Sequence, residues 1–213
     1  INAAADRNVE KLIFTSSDKA VNPNSVMGLT KLMGERMISA ANANRRGART
    51  IFSSTRFGNV IGSNGSVFHI FKNQIASGQK VTLTHADMTR FVMSPVEAAD
   101  LVLKSAVLSR GGEVFVFKSM PIIRIEDLAK AMIEVLGPRY GFAAKDISII
   151  EIGLKTGEKR YEQLISEEEC SRAFVSGDFL VIKPAFLGYH HEDDYGLSQQ
   201  EMLKPVEVLR SDN

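Results

Sequence analysis

The residues best suited to chemistry stand close together: Ser16, Ser17, Asp18 and Lys19, then Ala20-Val21-Asn22-Pro23, then Met27-Gly28-Leu29-Thr30-Lys31. A hydroxyl, a carboxylate and an amine in succession offer a hydrogen-bonding group, an acid and a base. They emerge where the apolar run Lys11-Leu12-Ile13-Phe14 gives out. Open α/β sheets bind ligands just there, outside the carboxyl ends of their strands. Met27 and Lys31 are four residues apart, so on a helix they share a face and address one ligand together. Taken singly, each residue is ordinary. Asp18-Lys19 reads equally as a solvated pair at a strand end, Met27 as core filler and Lys31 as a surface charge. Asn59, in a glycine-rich stretch, reads as a turn residue. Their order and spacing together single them out.

The elements that must position them follow from hydrophobic pattern. Residues 11–16 form a short apolar run suited to a strand buried on both faces of a parallel sheet. Asn22-Pro23-Asn24-Ser25 is turn chemistry, and Ser25 is placed to cap the next helix. From 26 to 42, Val26, Leu29, Met33, Met37, Ile38 and Ala41 recur at helical spacing. Gly47 ends that unit and residues 50–55 begin a second strand, giving a strand–helix–strand crossover long enough for a parallel pair. Residues 58–66 read as a loop. Further helices are predicted over 67–76, 95–108, 125–136 and 157–164, and strands over 80–84, 113–117 and 147–152. Pro95 suits a first helical turn, where its missing N–H costs least. The pattern is α/β throughout, without internal repeats or low-complexity tracts.

Composition sets bounds on the partners. The 213 residues carry a formal net charge of +1, with 44% hydrophobic and 24% charged residues, which reads as an ordinary globular protein. No basic run points to nucleic acid. The single cysteine, Cys170, forbids an intramolecular disulfide, fits a reducing compartment and reads as a bland half-buried thiol. A cytoplasmic location is expected. No stretch approaches the ~20 apolar residues of a membrane span. Residues 1–8 read as the tail of a helix already under way, without initiator Met or signal pattern, so the natural protein is expected to extend upstream. Membrane attachment is expected only through such an upstream region, at the cytoplasmic face of the inner membrane. The polar stretch from Gly188 to Tyr195 reads as a tail or docking arm. Its His190-His191-Glu192 points in divergent directions on any regular element, so no metal site is expected.

The block Ser17-Asp18-Lys19…Met27-x-x-x-Lys31 resembles the active site of the extended short-chain dehydrogenases/reductases. Within them it resembles the nucleotide-sugar dehydratases of capsular polysaccharide and flagellin glycosylation, whose strand ends in Ser-Thr-Asp-Lys and continues Ala-Val-Asn-Pro. Met27 stands where most of the superfamily has the Tyr of Tyr-x-x-x-Lys, and Lys31 matches its Lys. A thioether cannot exchange a proton, which leaves open which group takes the proton of the sugar's 4-hydroxyl. Arg56-Phe57-Gly58-Asn59-Val60 resembles the family's Arg-(Phe/Tyr)-Gly-Asn-Val, and Gly65-Ser66-Val67 its Gly-Ser-Val. Lys80-Val81-Thr82-Leu83-Thr84 resembles its uridine-lining strand, and Thr89-Arg90-Phe91 its Thr-Arg-Phe. Lys155-Thr156-Gly157-Glu158-Lys159 resembles its Arg-Pro-Gly-Glu-Lys, with Lys155 lacking the bidentate fork of Arg.

The resemblance, over residues 1–185, implies a UDP-N-acetylglucosamine 4,6-dehydratase using NADP or NAD, active as a homo-oligomer on a UDP-sugar. Ser17, Asp18, Lys19, Met27 and Lys31 would form the catalytic group. Lys31, Phe57, Gly58 and Val60 would line the cofactor. Asn59, Ser66, Val67, Thr82, Thr84, Arg90, Lys155 and Glu158 would bind substrate. Lys19 would remove the C5 proton, Asp18 would protonate the departing 6-hydroxyl, and Ser17 would hydrogen-bond the 4-oxygen. The implied fold is the C-terminal part of a Rossmann-like parallel-sheet domain plus a small α/β substrate-binding lobe. Residues 1–66 would form the Rossmann half, 67–185 the substrate region with returning Rossmann elements, and 186–213 the tail. The family's Gly-x-x-Gly-x-x-Gly pyrophosphate loop is not in this sequence, so the chain alone is expected to be inactive. Two other readings stay open: a UDP-sugar 4-epimerase, disfavoured by Met27, and a non-catalytic UDP-sugar-binding relative.

Overall fold

Apolar runs and amphipathic stretches alternate along the chain. In a computed structural model that describes residues 1–44, 49–185 and 206–212, they resolve into a mixed α/β order. The elements are α1 (Asn2–Asp6), β1 (Lys11–Ser17), α2 (Val26–Ala43), β2 (Ile51–Phe57), β3 (Asn59–Val60), α3 (Val67–Ala76), β4 (Val81–Leu83) and β5 (Thr89–Met93). They continue with α4 (Pro95–Leu108), β6 (Val114–Phe117), β7 (Ile122–Arg124), α5 (Ile125–Leu136), β8 (Ile149–Glu151), α6 (Glu167–Cys170), β9 (Ala173–Ser176) and β10 (Phe179–Ile182).

The largest sheet has the order β1-β2-β6-β10-β9. Strands β1, β2 and β6 run parallel, and the β9–β10 hairpin closes the far edge antiparallel. Helices α2 and α4 both pack against β1 and β2, which makes this a Rossmann-like core. Its interior gathers Phe115, Val116, Phe174, Phe179 and Val181 with Leu101 of α4 and Leu164–Ile165 of the late chain. A second core joins Phe71 and Ile75 of α3, Val81 and Leu83 of β4, and Ala129, Met132 and Ile133 of α5. Around it lie the small sheets β3-β5-β7 and β4-β8.

Local chemistry accounts for the element starts. Ser25 accepts from the Gly28 amide at 3.2 Å and caps α2. Ser94 and Glu97 form a reciprocal capping box at α4, with Pro95 in its first turn. Strand β2 is polar yet buried: Thr55 shares a 2.6 Å hydrogen bond with Ser105 of α4, and Arg56 is neutralised by two carboxylates described below. Among the described residues no helix is long and apolar enough to cross a membrane.

Two sequence expectations are corrected. The predicted helix over 157–164 does not form. Gly157 lies at φ +81°, and the carbonyls of Lys159 and Arg160, which a helix would use, accept instead from Arg90 and the Thr89 amide. The loop over 58–66 contains β3, which pairs in parallel with β5. On α2, Val26, Leu29, Met33 and Met37 lie exposed, while the buried face is Gly28, Glu35, Ile38, Ser39 and Asn42. Polar strand β2 beneath the helix explains this: small and hydrogen-bonding residues pack there. The expected tail over 186–213, its His190-His191-Glu192 and Gly47 lie outside the described residues, apart from 206–212.

Candidate active site

Strand β1 ends at Ser17, and Asp18–Ala20 makes a single 3₁₀ turn whose start Ser17 caps by accepting from the Lys19 amide. Three side chains converge there. The Ser17 hydroxyl donates to Asp18 Oδ1 at 2.7 Å, and Lys19 Nζ donates to the same oxygen at 3.0 Å. Lys19 Nζ also donates to Asn59 Oδ1 at 3.2 Å. The parallel register explains the meeting, because Ser17 pairs with Phe57 and Asn59 follows two residues on. Asp18 is fully buried, whereas the Lys19 side chain keeps 27% exposure. Asp18 Oδ2 and Ser16 Oγ are buried with no hydrogen-bond partner among the described residues. A buried carboxylate oxygen without a partner is costly and marks a place where a ligand or proton belongs.

Two glycines let the backbone close around this group. A Cβ on Gly28 would lie 2.3 Å from the Lys19 carbonyl oxygen, so the first turn of α2 rests directly on the Asp18–Ala20 turn. A Cβ on Gly58 would meet the Phe91 backbone at 2.6 Å, so that glycine answers to β5 packing. Met27 is 49% exposed on the first turn of α2. One turn on, Lys31 Nζ donates to the Thr15 carbonyl at 2.9 Å and lies over the Phe14 ring. Phe57 and Val60 commit their side chains to the core.

The expected substrate residues divide. Thr84 Oγ1 donates to Glu158 Oε1 at 3.2 Å, and Glu158 Oε2 accepts from the Lys155 amide, so these three meet. Thr82 is instead held by Gln74 of α3 through both its hydroxyl and its amide. Among the described residues Ser66 caps no N–H and its buried Oγ has no hydrogen-bond partner, while Val67 packs on the second core. Arg90 is buried. Its guanidinium donates to the carbonyls of Thr89, Lys159 and Arg160, so it acts first as a brace for that segment. The segment in turn touches the chain just after the Asp18–Ala20 turn: Lys159 Nζ donates to the Val21 carbonyl at 2.7 Å and Asn22 donates to Gln163.

Sequence reasoning passed over two buried groups. Arg56 is fully buried and donates to both oxygens of Glu35 and both of Glu169, clamping β2 to α2 and α6. Burial alone would raise the Glu169 carboxyl, but the hydrogen bonds and charge of Arg56 outweigh it and hold it at about 2. Glu162 is buried at 3% exposure. Burial and repulsion from Asp18 push its carboxyl up, opposed by Lys19, Arg90 and Lys159. Glu169 completes a capping box with Ser166, but the partners that accompany its burial and that of Glu162, Arg56 and Ser211, are remote in sequence. Cys170 is half-buried, and burial pushes its thiol up. Among the described residues no cluster of His, Cys, Asp and Glu is arranged to hold a metal.

Residues 1–184 match the family described as polysaccharide biosynthesis protein. The chain belongs to this family. It is 50% identical over 184 residues to the uncharacterized membrane protein MJ1061 of Methanocaldococcus jannaschii, covering 86% of this chain and 55% of the relative. It is 45% identical over 167 residues to the capsular polysaccharide biosynthesis protein CapD of Staphylococcus aureus, covering 78% of this chain and 27% of CapD. Identity to a UDP-glucose 4-epimerase of Rickettsia typhi is 42% over 179 residues, covering 84% and 50% respectively. The chain thus spans about half the length of the first and third of these relatives, and about a quarter of CapD. Among solved structures, Pen from Bacillus thuringiensis superposes with a TM-score of 0.85 at 38% identity, covering 99% of this chain and 60% of Pen. A dTDP-glucose 4,6-dehydratase from Streptomyces venezuelae, with NAD and TYD bound, shares the fold at a TM-score of 0.62 and 15% identity, covering 74% and 52%. The polysaccharide-biosynthesis family therefore includes relatives named for capsule synthesis and for epimerisation.

Proposed function

We propose that this chain carries the catalytic residues of a UDP-N-acetylglucosamine 4,6-dehydratase in surface-polysaccharide synthesis. The observation that carries the reading is the convergence of Ser17, Asp18, Lys19 and Asn59 at the end of β1, with a methionine where a phenol would be needed for a Tyr-based mechanism. Elimination of water across C5–C6 needs an acid and a base held together, and Asp18 with Lys19 are such a pair. Lys19 takes the C5 proton. Asp18 protonates the departing 6-hydroxyl. Ser17 holds the 4-oxygen, and Asn59 keeps the Lys19 amine aimed between strand ends. Glu158, Thr84 and Lys155 form a polar group suited to the nucleotide.

The strand-end residues fit the nicotinamide-ribose part of NAD or NADP: Lys31 is half-buried and offers an ammonium with three protons, one of them on the Thr15 carbonyl. Such a cofactor, when bound, accepts hydride from C4 and returns it to C6. The side chains of Phe57 and Val60 are turned to the core, so that only their backbone would line it.

A second reading, a UDP-sugar 4-epimerase, is favoured by the names of relatives at 42% identity. The two separate on the product formed by the full-length protein from UDP-N-acetylglucosamine. Dehydration creates a 6-methyl group, whereas epimerisation gives a galacto-configured sugar that keeps its 6-hydroxyl.

A further inference from the structure

Two loops carry the polar group assigned to the nucleotide. Thr84 stands at the start of the turn between β4 and β5, and Glu158 follows Gly157 in a segment without regular structure. Each loop runs on to an anchored residue, Thr89 at the head of β5 and Glu162 in the late segment. What ties the two loops there comes from a third part of the chain.

Residues 206–212 lie beyond the matched residues 1–184, yet they return to this place. Val206 and Leu209 pack against the main core. Past them the chain pairs antiparallel with the late segment. Gln163 and Arg210 form a bridge, the Leu164 amide donates to the Leu209 carbonyl at 3.0 Å, and the Ser211 amide donates to the Glu162 carbonyl at 3.0 Å. The Arg210 guanidinium lies over the Tyr161 ring, 4.0 Å from its centroid.

The Ser211 side chain, in a residue only 1% exposed, joins the loops. Its hydroxyl donates to the Thr89 carbonyl at 3.2 Å and accepts from the Thr89 hydroxyl at 3.0 Å and the Glu162 amide at 2.9 Å. Its one proton and both lone pairs are then in use, so Ser211 fixes the spacing of the two loops. The Thr89 amide on the Arg160 carbonyl, and Arg90 on the carbonyls of Lys159 and Arg160, carry the tie on toward Glu158. At the far end the Thr84 hydroxyl meets Glu158 at 3.2 Å. The nucleotide group thus closes one end of a pair of loops that Ser211 closes at the other.

We propose that Ser211 is a positioning residue for nucleotide binding: it touches no ligand, and by clasping Thr89 to Glu162 it holds Thr84 and Glu158 in the arrangement that receives the UDP moiety. This inference rests on the nucleotide role given above to Thr84, Lys155 and Glu158.

The test measures UDP binding to the full-length protein by calorimetry, in wild type, Ser211→Ala and Arg210→Ala. Ser211→Ala strands the Glu162 amide and the Thr89 hydroxyl, and loops that are correctly spaced only part of the time bind in proportion more weakly. UDP affinity should fall about 10-fold in Ser211→Ala. It should fall about 3-fold in Arg210→Ala, which loosens the clasp from outside without stranding a buried group. In turnover of UDP-N-acetylglucosamine the loss should sit in KM, with kcat within about 2-fold of wild type, because the Asp18–Lys19 pair is held by β1. Amide exchange should quicken at Thr89, Glu162 and Leu164 while β1, β2 and β6 keep their protection. Faster exchange with UDP affinity unchanged would make the clasp a structural brace only and overturn the proposal, as would a loss of kcat with KM unmoved. Should Ser211→Ala fail to fold, Arg210→Ala decides by the same readouts. If wild type itself binds no UDP, the nucleotide assignment falls and takes the proposal with it. If wild type binds and both variants bind equally well, the clasp alone falls.

Discussion

Replacing Glu169 by Gln offers a quantitative test of the clamp that joins β2, α2 and α6. Gln resembles the protonated carboxyl in size and can still accept one hydrogen bond from Arg56, but it carries no charge. In the folded protein Arg56 holds the Glu169 carboxyl at about 2, against an ordinary 4.5. That displacement corresponds to about 3 kcal/mol of stability at neutral pH. The sign follows from the depressed pKa. The contribution is complete above pH 4.5 and is lost as the pH falls through about 2. Glu169→Gln should therefore cost about 3 kcal/mol at pH 7 and only about 1 kcal/mol at pH 3. A loss of about 3 kcal/mol is at the low end for breaking a buried ion pair, as expected when Glu35 still neutralises Arg56. For a chain of this size it lowers Tm by roughly 6–12 °C. Urea unfolding of both proteins at pH 7 and pH 3 measures the difference directly. A gap under about 1 kcal/mol at pH 7, or one equally wide at pH 3, would refute the assignment of this stability to charge on Glu169.

Two further outcomes follow from the site's geometry. Gly28→Ala in a helix would ordinarily stabilise by about 1 kcal/mol, but here its Cβ meets a backbone oxygen at 2.3 Å. The clash should reverse the sign, costing about 1–3 kcal/mol in chemical unfolding and displacing the Asp18–Ala20 turn. Lys19→Ala in the full-length protein should abolish dehydration while calorimetry still detects UDP-N-acetylglucosamine binding. Unchanged turnover would remove Lys19 from the mechanism.

Much of the fold could be read from pattern because the information was local. Strand β1 is a short apolar run, α3, α4 and α5 carry clear periodicity, and α4 opens on a capping box and a proline while α5 ends at Gly137-Pro138. The Ser17–Asp18–Lys19 group was legible as consecutive residues at a strand end, and Asn59 joined it because a parallel register sets neighbouring strand ends side by side. Misreadings arose where distant contacts override local preference. The periodic stretch over 157–164 stays irregular because Arg90, far upstream, captures its carbonyls. The hairpin of β9 and β10 turns at Gly177, whose φ of +57° suits a tight turn, yet its short strands carried too little alternation to be read. The helical spacing of α2 did not show which face is buried: most of its recurring apolar residues stay exposed, and polar Glu35 goes inward beside Ile38, drawn by Arg56. Glu162 and Glu169 escaped notice because the segments that pack around them are remote in sequence, the Ser211 region for one and Arg56 for the other.

The most direct measurement is proton NMR of the full-length protein incubated with UDP-N-acetylglucosamine and NADP⁺ or NAD⁺ in D₂O. A dehydratase whose Lys19 exchanges the C5 proton yields a new 6-methyl signal with deuterium at C5, and the C5 configuration shows whether that centre inverts. A galacto-configured product with no methyl signal and no deuterium at C5 would contradict the assignment and establish an epimerase.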